Sequence, residues 1–292
     1  MTKALVLSGG GSVGIGWQSG LLAGLARGGV SLADADDVLG TSAGSAVGAQ
    51  LALGTDFEER LEVYRKPSTA TALRSGASTG SGIAERMARF MEVMLSSEPG
   101  EDPEAARRRI GEFALGEEGA LPEEQFVAGF KYLADQAWPA TYRCTAVEAA
   151  TGSFTVWDAA SGAPLDRAVA SSCAVPGIFA PITIGGRRYM DGGMRSGANA
   201  DLAAGHDLVV LMTLMGGDRL ANPAMARFKE RSDAELQTLR DGGSRVETIA
   251  PDAEAAAAMG LNLMDGSIAP LAAEHGVRQG EAIAAQIGTL WT

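Results

Sequence analysis

Short apolar runs alternate with longer amphipathic stretches along this chain, and each kind of run predicts its own element. Residues 4–7 are apolar and end at Ser8 and three glycines, which predicts a buried strand. Over 14–27, Trp17, Leu21, Leu22 and Leu25 recur at helical spacing, and Gly28-Gly29 supplies a stop. Residues 37–39 predict a second short strand. Residues 45–53 predict a helix whose small Ala46, Gly48 and Ala49 allow close packing, with Gly54 as its C-terminal stop. From 55 to about 140 the pattern changes to charged helices (57–65, 83–95, 103–113), a Ser/Gly-rich stretch and an acidic loop around 96–102. This region reads as a helical insertion covering one side of a sheet, placed to act as a lid. Residues 142–147 and 153–157 predict a hairpin around Thr151-Gly152, and 182–184 with 188–190 another turning at Gly185-Gly186. Strands at 208–214 and 246–250 follow, and the tail of about 245–292 adds helices. Strands and helices interleave, so the expected fold class is a layered α/β protein, organised as one domain over 1–292.

Composition narrows the function classes. The chain has 292 residues with 46% hydrophobic content, enough for a sizeable core and too much for disorder. Its 39 glycines exceed an average share, and they predict several sharp strand-to-helix corners close to a site. The formal net charge of −12 argues against nucleic acid as a partner, because such binding rests on Lys and Arg neutralising phosphates. It opposes purely electrostatic docking on an anionic bilayer as well. Cys144 and Cys173 are the 2 cysteines, too few for a disulfide framework, and are expected as buried free thiols. No signal peptide or membrane span is read in the sequence, which makes a cytoplasmic protein the expectation.

Three segments match Gly-x-Ser-x-Gly, at 10–14, 40–44 and 76–80. A glycine-rich chain produces such matches by accident, so context must separate them. A nucleophile of this kind needs a tight turn between strand and helix, with small residues two before and two after. Gly40-Thr41-Ser42-Ala43-Gly44 follows the strand at 37–39 directly and runs into a helix, so Ser42 is the expected nucleophile. Ser12 is preceded by a glycine loop, and Ser78 has no strand before it. A serine hydroxyl needs a base. Of the 2 histidines, His206 precedes a strand at the wrong end for a site in a parallel sheet, and His275 follows an alanine-rich stretch near the C-terminus. A carboxylate is therefore considered. Asp191 ends the strand at 188–190 and is followed by Gly192-Gly193; the triplet reads equally well as a base beside a sharp turn or as a plain hairpin turn. Backbone amides of Gly9, Gly10 and Gly11, at a helix start, and of Ala43, after Ser42, are the expected donors to an oxyanion, with Gly14 closing the first glycine motif. The same loop matches Gly-x-Gly-x-x-Gly, the rival dinucleotide reading, but no acidic residue ends the second strand as that reading requires.

The glycine loop 9–14, the elbow 40–44, the segment Ser171-Ser172-Cys173-Ala174-Val175-Pro176-Gly177-Ile178-Phe179 and Asp191-Gly192-Gly193 together resemble the patatin-like phospholipase family. The resemblance covers 4–54 and about 142–214 well. It implies a three-layer α/β/α fold with a mostly parallel central sheet. It implies a Ser42–Asp191 dyad acting on lipid or other ester substrates, with glycines 9–11 as the oxyanion loop and no cofactor, metal or histidine. Transient contact with a membrane surface is expected of such an enzyme. The family often carries Arg or Lys where Val13 stands. With the acidic surface, this departure predicts a preference for neutral or zwitterionic acyl esters, lysophospholipids among them, over anionic bilayers. An acyltransferase or thioesterase with the same dyad, and a non-catalytic lipid-binding regulator, are the alternative readings.

Overall fold

A computed structural model describes residues 1–65, 82–96, 100–214 and 226–292. The chain opens with β1 (Lys3–Leu7), α1 (Gly11–Arg27), β2 (Asp37–Gly40) and α2 (Ala43–Ala52). Four helices follow: α3 (Phe57–Arg65), α4 (Ile83–Leu95), α5 (Pro103–Gly116) and the short α6 (Glu123–Val127), which continues into a 3-10 turn at Ala128–Leu133. The second half holds β3 (Tyr142–Glu148), β4 (Phe154–Trp157), α7 (Leu165–Ser172), β5 (Ile182–Ile184), β6 (Arg187–Asp191) and β7 (Leu208–Met212). It closes with α8 (Ala226–Asp241), β8 (Arg245–Ile249), α9 (Ala253–Met259) and α10 (Ala269–Trp291). The Gly-x-Ser-x-Gly match at 76–80, with Ser78, lies outside the described residues.

The strands form an 8-stranded sheet ordered β5-β6-β3-β2-β1-β7-β8, with β4 paired to β3. β3, β2, β1, β7 and β8 run parallel, and the hairpins at β3–β4 and β5–β6 add antiparallel strands at one side. Alternation along the strands sends side chains to two faces. Leu5, Leu7, Val210 and Met212 point towards α1, α2, α7 and α10, whereas Ala4, Val6, Val209 and Leu211 meet the 3-10 turn at Ala200–Ala203 and Leu239 of α8. Covered on both faces, the sheet is the middle layer of an α/β/α fold.

Two expectations need correction. The helices of the insertion do not share one side of the sheet. Phe57 and Leu61 of α3 join the core around α1, while Phe90 of α4 and Ile110 and Ala114 of α5 pack on Val147 and Met190 of the opposite face. The apolar pattern within each helix carries no sign of which face of the sheet it will meet. Nor do the glycines serve corners alone. Gly16, Gly20 and Gly24 recur every four residues on α1 and lie flat against α10: a Cβ on Gly20 would sit 2.1 Å from the Ala273 carbonyl oxygen, and one on Gly276 would sit 2.3 Å from that of Trp17. The glycine stripes let the two helix backbones touch, so α1 is buried far beyond its Trp17–Leu25 face.

Candidate active site

Ser42 stands between β2 and α2 with φ 53° and ψ −122°; among the described non-glycine residues only Asn199 also has a positive φ, and its ψ of 37° is the ordinary left-handed one. Such strain persists only where the surroundings hold it. Here the Ser42 N–H donates to Ser172 Oγ (3.0 Å), and the Ser42 carbonyl accepts from Ser45 Oγ (2.6 Å) and Cys173 Sγ (3.1 Å). The flanking glycines are steric requirements: a Cβ on Gly44 would lie 2.1 Å from the Leu7 carbonyl oxygen, and one on Gly40 would lie 2.4 Å from Ser45 Cα. Ser12, by contrast, lies inside the first turn of α1, which begins at Gly11, three residues earlier than the apolar pattern predicts. The Gly14 N–H donates to the Gly10 carbonyl (2.7 Å), closing that turn.

Asp191 is the last residue of β6 and is 2% exposed. Strand β3 brings it to Ser42. Gly40 of β2 is in register with Cys144 on one edge of β3, and Asp191 with Ala146 on the other. The two motifs therefore reach the same end of the sheet from strands of opposite direction. Burial pushes the Asp191 carboxyl up to about 7; the Ser42 hydroxyl, which faces it, and the Gly193 N–H, which donates to Oδ1 at 2.7 Å, act the other way. Asp191-Gly192-Gly193 is no hairpin turn: the chain goes from β6 into a 3-10 turn at Gly192–Met194, and Gly192 is pressed on Thr145, whose Oγ1 would lie 2.2 Å from an added Cβ.

The donor set differs from expectation at one position. The Gly9 N–H is committed to the Gly197 carbonyl (2.8 Å), so Gly9 shapes the loop without offering its amide. Among the described residues the amides of Gly10, Gly11 and Ala43 have no protein acceptor. Both histidines lie apart from this centre. His206 precedes β7, with Nδ1 against the Ala203 carbonyl (3.0 Å), and His275 is buried on α10 beside Arg278 (2.5 Å). Cys144 and Cys173 are buried and unpaired with each other, and burial pushes both thiols up.

A supporting layer was invisible in the motifs. Buried Asn199 donates through Nδ2 to Thr41 Oγ1 (3.1 Å) and to the carbonyls of Ser196 (2.9 Å) and Gly192 (3.3 Å). The Thr41 and Thr145 hydroxyls are 2.9 Å apart beneath it. This network ties the residue before Ser42 to the residue after Asp191. Leu263, far down the chain, accepts the Val13 N–H (3.1 Å) and fixes the start of α1. The available signals were the segment 171–179, which contains Ser172 and Cys173, and an asparagine in a Gly-rich loop. Among the described residues no group of three or more His, Cys, Asp or Glu side chains is arranged to hold a metal.

A strained serine at a strand–helix elbow, facing a buried carboxylate under a layered α/β sheet, has the parts that nucleophilic acyl chemistry needs. The family model for patatin-like phospholipase matches residues 5–204, and the chain belongs to that family. The family places it among lipid hydrolases. Two solved structures are similar at low identity. VipD from Legionella pneumophila is 15% identical with a TM-score of 0.47, over 98% of this chain and 67% of that one. The type III effector protein ExoU is 17% identical with a TM-score of 0.38, over 96% of this chain and 53% of that one. The chain thus spans about half the length of the ExoU structure. No curated protein matches it in sequence.

Proposed function

We propose that the protein is a serine acyl hydrolase that cleaves carboxylic ester bonds of lipids through a Ser42–Asp191 dyad. The observation that carries this reading is the buried Asp191 carboxylate facing the strained elbow serine, with free amides of Gly10, Gly11 and Ala43 nearby. Asp191 takes the Ser42 proton as Oγ attacks the acyl carbonyl. The tetrahedral oxyanion is held by the free amides, each worth about 10²–10³ in turnover when well aimed. The C–O bond to the alcohol breaks, the leaving oxygen takes the proton from Asp191, and an acyl-serine ester remains. Water then loses a proton to Asp191 and attacks the acyl carbon; the acid leaves and the proton returns to Ser42. A carboxyl raised to about 7 suits this work, because a base is most effective with a pKa near the working pH.

A fluorophosphonate probe tests the nucleophile. The wild-type chain is expected to be labelled at Ser42, and Ser42→Ala to lose both labelling and esterase activity while staying folded. Labelling of the folded variant at another serine removes the reading.

A further inference from the structure

Beside the dyad lies a second feature that the motifs do not account for. A cavity of about 270 Å³ opens between α4, α5, the loop after Asp191 and α8. Ile110, Met194 and Phe228 form part of its apolar wall, and Arg107, Arg195 and Arg231 face it. One residue, Gly9, separates its lining from Ser42: Gly197, in the lining, accepts the Gly9 N–H, and a Cβ on Gly9 would touch Ser42 Cβ at 3.3 Å.

The three arginines are not equivalent. Arg195 is bonded to Asp201 and Asn199 and stacks on the Phe154 ring, 4.5 Å from guanidinium to centroid. Arg231 has Glu235 at 3.6 Å. Arg107 donates Nε to the Gly152 carbonyl (2.7 Å), and no carboxylate of the described residues lies within ion-pair distance of it. Its acidic neighbours are engaged elsewhere. Asp102 caps the start of α5, and Glu104 accepts the Ser153 hydroxyl. Among the described residues the lining's one carboxylate, Glu101, is paired with Arg109, outside the lining. Burial lowers the Arg107 pKa most; Glu104 and, less strongly, Asp102 pull it up, while Arg195 and Arg231 push it down, which places the three guanidiniums within reach of one another's fields.

A cavity with a surplus guanidinium on one side and apolar side chains on the other fits an anion attached to a hydrocarbon. The geometry points to an anion subsite, centred on Arg107 with Arg195 and Arg231 flanking it, that seats the phosphate of a lipid headgroup while the neighbouring acyl ester lies at Ser42. This rests on the lipid-ester reading of the dyad and adds a headgroup-binding site to it. Guanidinium groups suit such phosphate recognition by their planar, multidentate donors. The subsite stands in a different place from position 13. The Val13 side chain is fully buried in the core around α1, and it leaves that position without a cation.

The test compares lysophosphatidylcholine with a monoacylglycerol of the same acyl chain, both in neutral detergent micelles, so that the phosphate headgroup is the difference. The readout is the ratio of kcat/KM values. Arg107→Gln is expected to lower the ratio about 10–100-fold, the scale of a lost hydrogen bond to a charged group. Arg107→Lys, which keeps the charge, is expected to recover part of it. Arg231→Gln provides a second variant should Arg107→Gln fail to fold, as judged by melting. A ratio within threefold of wild type in folded variants overturns the subsite. Binding to full-length Ser42→Ala, measured by calorimetry, separates the subsite from the chemistry. Glycerophosphocholine that binds, and binds more weakly with Arg107→Gln added, supports the subsite even if no ester is ever cleaved, in which case the dyad reading fails alone. Inorganic phosphate binding without glycerophosphocholine binding overturns the lipid-headgroup assignment.

Discussion

Single residues set the chemistry, and Asp191 shows how. In the proposed dyad, a carboxyl held near 7 by burial must lose its proton before it can accept one from Ser42. The kcat/KM of a soluble ester is therefore expected to rise about tenfold per pH unit up to a midpoint near 7 and to level above it. A midpoint in the ordinary carboxylate range would show that Asp191 is more solvated than it stands here. Linkage adds a check that needs no substrate. The folded pKa lies above the ordinary value of 3.8, so between these values the folded state holds a proton that the unfolded chain has released, and stability falls as pH rises through this window. Asp191→Asn removes that effect. Its melting temperature is expected to exceed that of wild type at pH 8, with the difference shrinking towards pH 4. An Asn variant less stable than wild type at pH 8 would contradict the buried, desolvated carboxylate. The histidines supply the matching negative: His206→Ala with His275→Ala is expected to change kcat/KM by less than about tenfold in folded protein, whereas Asp191→Asn lowers it by orders of magnitude. A folded but inactive double variant would reveal a histidine in the mechanism.

At the scale of elements, the proposed oxyanion loop depends on how closely α1 can approach α10. The glycine loop that carries the Gly10 and Gly11 amides opens α1, and α10 holds α1 along its glycine stripe. Gly20→Ala places a methyl group 2.1 Å from a backbone oxygen of a packed helix, where nothing flexible can yield. Overpacking costs about 1–3 kcal/mol, and the helix preference of Ala over Gly offsets about 1 of it. A net destabilisation is expected, read as a lower denaturation midpoint. Gly116→Ala is the control: nothing lies within 4 Å of its added Cβ, so its stability should hold or rise. Equal behaviour of the two variants would mean that the α1–α10 contact is looser than the backbone indicates.

The molecule as a whole carries −12, while the cavity near the proposed dyad gathers three arginines. The two act over different ranges. Net charge governs approach to a surface and is screened over about 8 Å at physiological salt; the arginines act only on a group already seated. Turnover on anionic vesicles is therefore expected to be low and to rise with added salt, while zwitterionic vesicles and a soluble short-chain ester change little. An ionic-strength series on matched vesicles decides it, and faster cleavage of anionic vesicles at low salt would place a docking patch on the surface. No helix among the described residues is long and apolar enough to cross a membrane.

What the sequence determined by itself was local. Strand and helix periodicities are written in neighbouring residues, so the sheet strands and most helices follow from the apolar pattern, and the elbow at Ser42 follows from a strand, a small-residue turn and a helix in succession. Asp191 was only half legible, because Asp-Gly-Gly makes a turn whether or not a serine faces it. Tertiary structure decided the rest. Ser172 supports Ser42 from 130 positions away, and Asn199 reaches Thr41 across 158. The Gly9 amide is lost to Gly197 by a contact no spacing encodes, and the described helices of the insertion divide between two faces that their apolar patterns do not distinguish. Hydrogen-bond partners and steric limits of this kind depend on which strand lies beside which, and pairing between distant segments leaves no period in the chain that forms it.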